Sequence, residues 1–143
     1  MTDLLRPSLR RYPDARKAPF PLIDPLLFPY LGLLFGVPVV ALAAGVNALA
    51  VRRWALFFVS LLLGFAGWIF FLAAAGNSFV VARGIAFAVG MIFYVAHRPY
   101  ARGHVFLRGR VAPLLATYMT VFVVYFALPE NVLLILMGVP HGR

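Results

Sequence analysis

Residues 54–75 read WALFFVSLLLGFAGWIFFLAAA, a run with no charged side chain. At about 1.5 Å per residue, a helix of this length covers about 33 Å and crosses a hydrocarbon core of roughly 30 Å. A continuous apolar segment satisfies its own backbone in lipid as a helix. This stretch therefore sets the expected fold class: all-α, a polytopic transmembrane helical bundle. Trp54 stands where an interfacial aromatic belongs, and Gly64 and Gly67 offer a face for close helix packing.

Three further apolar runs flank it. Residues 26–51 precede it, separated by the short basic turn Arg52-Arg53. This run is rich in small residues, with Gly32 and Gly36 spaced as GxxxG, and Pro38 is expected to kink it. After 54–75, Gly76-Asn77-Ser78 reads as a tight turn whose Ser78 or Asn77 caps the next helix. That helix is expected over 79–97. Residues 98–110, RPYARGHVFLRGR, read as a basic loop broken by Pro99, Gly103 and Gly109. A fourth span is expected over 111–128, with Pro113 in its first turn. Pro129-Glu130-Asn131 interrupts it, and 132–138 is a short apolar extension. Residues 1–25 form a basic, proline-punctuated tail in which no long helix is expected and which does not read as an export signal. No internal repeat is present.

Composition agrees with a membrane assignment. Of 143 residues, 64% are hydrophobic and 12% charged, against about 45–50% and about 25% in soluble domains. The formal net charge of +9 lies in the tail and loops, not on a basic domain able to grip nucleic acid. With no cysteine, disulfides and thiolate chemistry are excluded. The use of Arg over Lys (Lys17 stands alone) beside abundant Ala, Leu, Gly and Val points to a GC-rich bacterial genome.

Charge leaves two topologies open. Four full spans put the five basic residues of the tail, Arg83 and Arg143 on one side. The other side then holds Arg52, Arg53, Arg98, Arg102, Arg108 and Arg110. Seven against six gives almost no positive-inside bias. If 26–51 instead dips in and returns at Gly36-Val37-Pro38, the tail joins both basic loops, eleven basic residues against two. Continuous kinked helices are the commoner form, so four spans is the leading expectation and a re-entrant first segment plus three spans the alternative.

Few residues invite chemistry. Arg83 and Glu130 fall at the same depth of two antiparallel spans and are expected to form a structural ion pair. Arg83, Phe87, Gly90, Tyr94 and His97 share one helix face. That face is expected to supply interhelical hydrogen bonds, with Thr117, Tyr118 and Thr120 as partners. Asn47 is expected to make a helix–helix hydrogen bond. His97 and His104 lack the carboxylate or thiolate company of a zinc site, and no facing histidines offer haem ligation. No catalytic residues, metal or cofactor are expected.

The first run lacks the embedded glutamate of small multidrug exporters, and the chain lacks the cysteines of disulfide-forming membrane oxidoreductases. Gly36, Pro38, Asn47 and Arg52-Arg53, with Gly103-His104 and Gly109-Arg110, are the positions of a different likeness. Over about residues 26–128 the chain resembles uncharacterised small four-helix proteins of the bacterial inner membrane; the long basic tail departs from them. The resemblance implies a cytoplasmic-membrane location and no assigned activity. The expectation is a non-enzymatic accessory or assembly subunit working by helix–helix association, through its small-residue faces, with a membrane-protein partner or its own copy. The alternative is a small oligomeric channel or transporter lined by the Arg83/Tyr94/His97 face.

Overall fold

The computed structural model of the protein describes residues 18–129 and residue 132. Among them the fold is all-helical, with five α-helices preceded by a 3-10 turn, Pro25–Leu27. The helices are α1 (Phe28–Phe35), α2 (Val37–Ala50), α3 (Trp54–Ala75), α4 (Phe79–Phe106) and α5 (Leu114–Phe126). Two of them, α3 and α4, are long and apolar enough to cross a membrane. Only 22% and 28% of their most apolar windows are buried. They are thus unlike the core helices of a soluble protein, which bury their apolar stripe. Leu62 and Phe70 on α3 and Val80 on α4 are each more than two-thirds exposed.

The run 26–51 is not one kinked helix. It breaks at Gly36, two residues before the expected kink at Pro38. Gly36 has φ 88° and ψ 174°, a conformation open essentially to glycine alone. Pro38 falls in the first turn of α2, where its missing N–H would have had no intrahelical partner. The two arms then run back along each other. Ile23, ahead of α1, donates its N–H to Asn47 Oδ1 at 2.9 Å, and Asn47 Nδ2 donates to Ile23 O at 2.6 Å. Ala18 and Leu22 pack with Ala50 and Val51. The segment therefore enters and leaves at the same end of the molecule, as a helical hairpin.

This hairpin lies on the α3–α4 pair. Along α1 and α4, which run antiparallel, Gly32 meets the Ala86 carbonyl and Gly90 meets the backbone of Phe28 and Pro29. A Cβ on Gly90 would stand 2.6 Å from Phe28 O, so the two backbones touch where only glycine fits. Along α2 and α3, Ala41 packs on Gly64 and Val37 faces Gly67. The small-residue faces are thus consumed inside the chain.

The basic loop is shorter than expected. α4 continues through Pro99 to Phe106, nine residues beyond His97. Both α2 and α4 stop in the same way. Arg52 and Arg108 adopt left-handed φ of 55° and 58°. Arg53 N–H then bonds Ala48 O and Gly109 N–H bonds His104 O, at 2.9 and 2.8 Å. These are Schellman closures with arginine where glycine is usual. Ser78 caps α4, accepting from Val81 N–H at 3.4 Å. Pro113 lies just ahead of α5 rather than in its first turn, and its carbonyl accepts from Thr117 N–H at 3.0 Å. The extension expected over 132–138 falls outside the described residues except for Val132, whose N–H bonds Pro129 O.

Candidate functional site

Polar side chains in this fold gather at two levels. Near the hairpin tip stands Arg83, in the second turn of α4 and 8% exposed. Its Nη1 donates to the carbonyls of Leu33 and Leu34 at 3.1 and 3.3 Å. Those carbonyls belong to the last turn of α1, where the break at Gly36 leaves acceptors without intrahelical donors. A cation is favourable at that helix end. The guanidinium also lies 4.8 Å from the ring centroid of Phe79 and 5.8 Å from that of Phe71, within cation–π range. Arg83 is thus a cap supplied by one helix to another. Glu130 is outside the described residues, and the expected Arg83–Glu130 pair lies there with it.

The second level is the basic end, where 18–24, 50–53 and 97–112 come together. His97, 2% exposed, shares a hydrogen bond with Ser60 of α3 at 3.1 Å. Phe28 meets its ring edge-on at 5.6 Å. The partners expected for it on the last helix do not serve; Thr117 Oγ1 donates to Pro113 O, four residues back and just ahead of α5. Sequence reasoning passed over Ser60, although it is the one hydroxyl of the 54–75 run and a polar group there needs a partner. His104, 1% exposed, accepts from Ala18 N–H at Nδ1 at 3.0 Å. Its Nε2 must then carry the proton and donates to Arg110 O, also at 3.0 Å. Leu22 completes the closure through a single parallel bridge to Val111, donating to Arg110 O and accepting from Ala112 N–H. Reading 98–110 as loop hid His104, because its position two helical turns beyond His97 has meaning only if α4 continues.

On the expected polar face of α4, Arg83, Gly90 and His97 are buried, Tyr94 is half-buried and Phe87 faces outward beside Tyr30. The face therefore divides. Arg83 and His97 serve the fold, while Tyr94 borders a groove of about 330 Å³ with Arg98, Arg102 and Asp24. Arg98 lies over the Tyr94 ring at 5.5 Å. Gly32 and Gly90 are contact points between α1 and α4, Gly36 is the break, and Asn47 binds backbone rather than another helix's side chain. Among the described residues no group of three or more histidines and carboxylates is placed to hold a metal ion. The arrangement supplies hydrogen bonds that fix a hairpin and leaves a cationic groove at one end. The chain matches no family model, no curated protein and no solved structure.

Proposed function

We propose that this protein is a multi-pass protein of the bacterial inner membrane, built from a re-entrant hairpin and three crossing segments, and that it works non-enzymatically as an accessory or assembly subunit. The re-entrant form is supported by the pairing of Ile23 with Asn47. Non-helical backbone at membrane depth is tolerated where protein buries it. Gly36 and Val37 are buried, and the freed carbonyls of α1 meet Arg83.

One observation carries the accessory role. The interior polar groups Asn47, Ser60, Arg83, His97 and His104 each hydrogen-bond within the fold, while the outer face of α3 is broad, apolar and uncovered. Phe58, Leu62, Phe65 and Ile69 recur there at helical spacing and are all more than half exposed. A channel lined by Arg83, Tyr94 and His97 is the weaker reading, because the hairpin and α3 cover two of these three side chains. The α3 face replaces the glycine faces as the surface for a partner.

Co-purification tests this. Tagged full-length protein extracted in mild detergent should bring down a stoichiometric membrane-protein partner or its own copy. L62A/F65A, which removes apolar contact area from that face, should weaken the association without lowering thermal stability, because both side chains are exposed in the single chain. Ion or solute flux in proteoliposomes above empty liposomes, with no associated protein, would overturn the proposal in favour of a channel.

A further inference from the structure

The groove at the basic end is amphiphilic. One wall is apolar, with Leu26 and Val105 both more than half exposed. Arg98 and Arg102 stand four residues apart on α4, hence on one face, and both are exposed. No ion pair involves either among the described residues. Arg98 is steadied over the Tyr94 ring, which limits the side-chain freedom it would lose on binding. The carboxylate of Asp24 also borders the groove, but its Oδ1 accepts from Leu26 N–H at 2.9 Å and caps the 3-10 turn. Two guanidinium groups against one capping carboxylate leave the rim positive.

We propose that this groove binds an anionic glycerophospholipid, with its phosphodiester between Arg98 and Arg102 and the start of an acyl chain along Leu26 and Val105. The proposal rests on the reading that α4 crosses the bilayer with this end at the cytoplasmic surface. Guanidinium groups match phosphate oxygens in geometry and charge. A half-buried tyrosine is suited to headgroup depth, with its ring in apolar surroundings and its hydroxyl in polar ones. The apolar wall distinguishes a lipid from a free phosphate, which would use the arginines alone. Val95, 65% exposed, precedes Arg98 by about one turn of α4, on the apolar side of the arginines, where a bound chain would meet the bulk lipid.

Native mass spectrometry of the full chain, with equal phosphatidylglycerol and phosphatidylcholine, tests the site. Retained phosphatidylglycerol should exceed phosphatidylcholine roughly tenfold or more, the scale expected of two basic side chains at an anionic surface. R98Q/R102Q should bring the ratio to about parity, and R98K/R102K, which keeps the charge without the guanidinium fork, should restore only part of it. R52Q/R108Q removes two exposed arginines from the same end and should leave the ratio unchanged. Equal loss in both glutamine pairs would mean diffuse attraction and overturn the site, as would absence of retained lipid from the unsubstituted protein. Displacement by millimolar glycerol phosphate would reassign the site to a free phosphate and overturn the lipid. Carbonate washing of membranes separates the two readings. Release of the protein would sink the membrane assignment, whereas a protein that stays in the membrane yet shows no lipid preference would sink the groove alone.

Discussion

Arg83 shows how a costly side chain becomes structural. A buried cation needs partners, and a helix stopped inside a protein needs donors for its last carbonyls. The fold meets both needs with one contact between Arg83 and the carbonyls of Leu33 and Leu34. Arg83→Met keeps an unbranched apolar stem and removes the donors. Leaving buried acceptors unsatisfied costs about 1–3 kcal/mol. R83M should therefore lower stability to unfolding in detergent by about 2 kcal/mol, while M91L on an exposed part of the same helix should change it by less than about 0.5 kcal/mol. An unchanged stability for R83M would mean that the capping contact contributes nothing. Sequence marked Arg83 as a residue of consequence because an ionisable group one turn inside an apolar run needs an explanation. It did not reveal the partner, because backbone carbonyls carry no residue signature and become acceptors only once the chain breaks at Gly36.

At the scale of elements, the most informative case is the 26–51 run. Its length, apolarity and GxxxG spacing were all legible, and so was the presence of an interruption. The four-span reading placed it at Pro38, because proline is the usual cause of a kink, whereas the re-entrant alternative placed the bend at Gly36-Val37-Pro38, which contains the break; proline in a first turn is compatible with a helix starting there. The deciding residue is Gly36, at φ 88° and ψ 174°. G36A puts a Cβ into a conformation that costs of order 1–3 kcal/mol outside glycine, so it should destabilise the protein by about that amount. Substitution at Arg52 should act in the opposite direction. Arg52 holds a left-handed φ of 55° at the end of α2, where glycine is the preferred residue. R52G should therefore stabilise by up to about 1 kcal/mol. Thermal unfolding of both variants beside the parent checks the pair, and a loss of stability on R52G would show that the arginine side chain outweighs its backbone strain. The end of α4 was misplaced for a related reason. Pro99 and two glycines read as a loop, but a helix already packed against the hairpin on its inner face accommodates one proline.

At the scale of the whole molecule, the clearest sequence signal was the charge distribution, and it competed with a general preference for continuous helices. Seven basic residues against six said nothing about orientation, while eleven against two pointed to a first segment that returns. The fold brings 18–24, the Arg52-Arg53 turn and the end of α4 to one end, with Tyr100 packed beside Ala18, Leu22, Ala50 and Val51 and the Arg53 guanidinium 5.6 Å from its ring centroid. Reporter fusions at the N-terminus, Arg53, Ser78 and Gly103 should then place the N-terminus, Arg53 and Gly103 in the cytoplasm and Ser78 outside. The sign follows from electrostatics. Residues 1–25 carry five basic and three acidic side chains, a net of two charges. Exporting them against the membrane potential costs roughly 2.3 kcal/mol per charge per 100 mV. Keeping them inside costs nothing, and the negative surface of the cytoplasmic leaflet adds attraction. The 76–82 turn has no basic residue, so nothing retains it. An N-terminal reporter found outside with Ser78 would require 26–51 to cross the bilayer in full. That would in turn separate Ile23 from Asn47 by the thickness of the membrane, so the hydrogen bonds joining them could not exist.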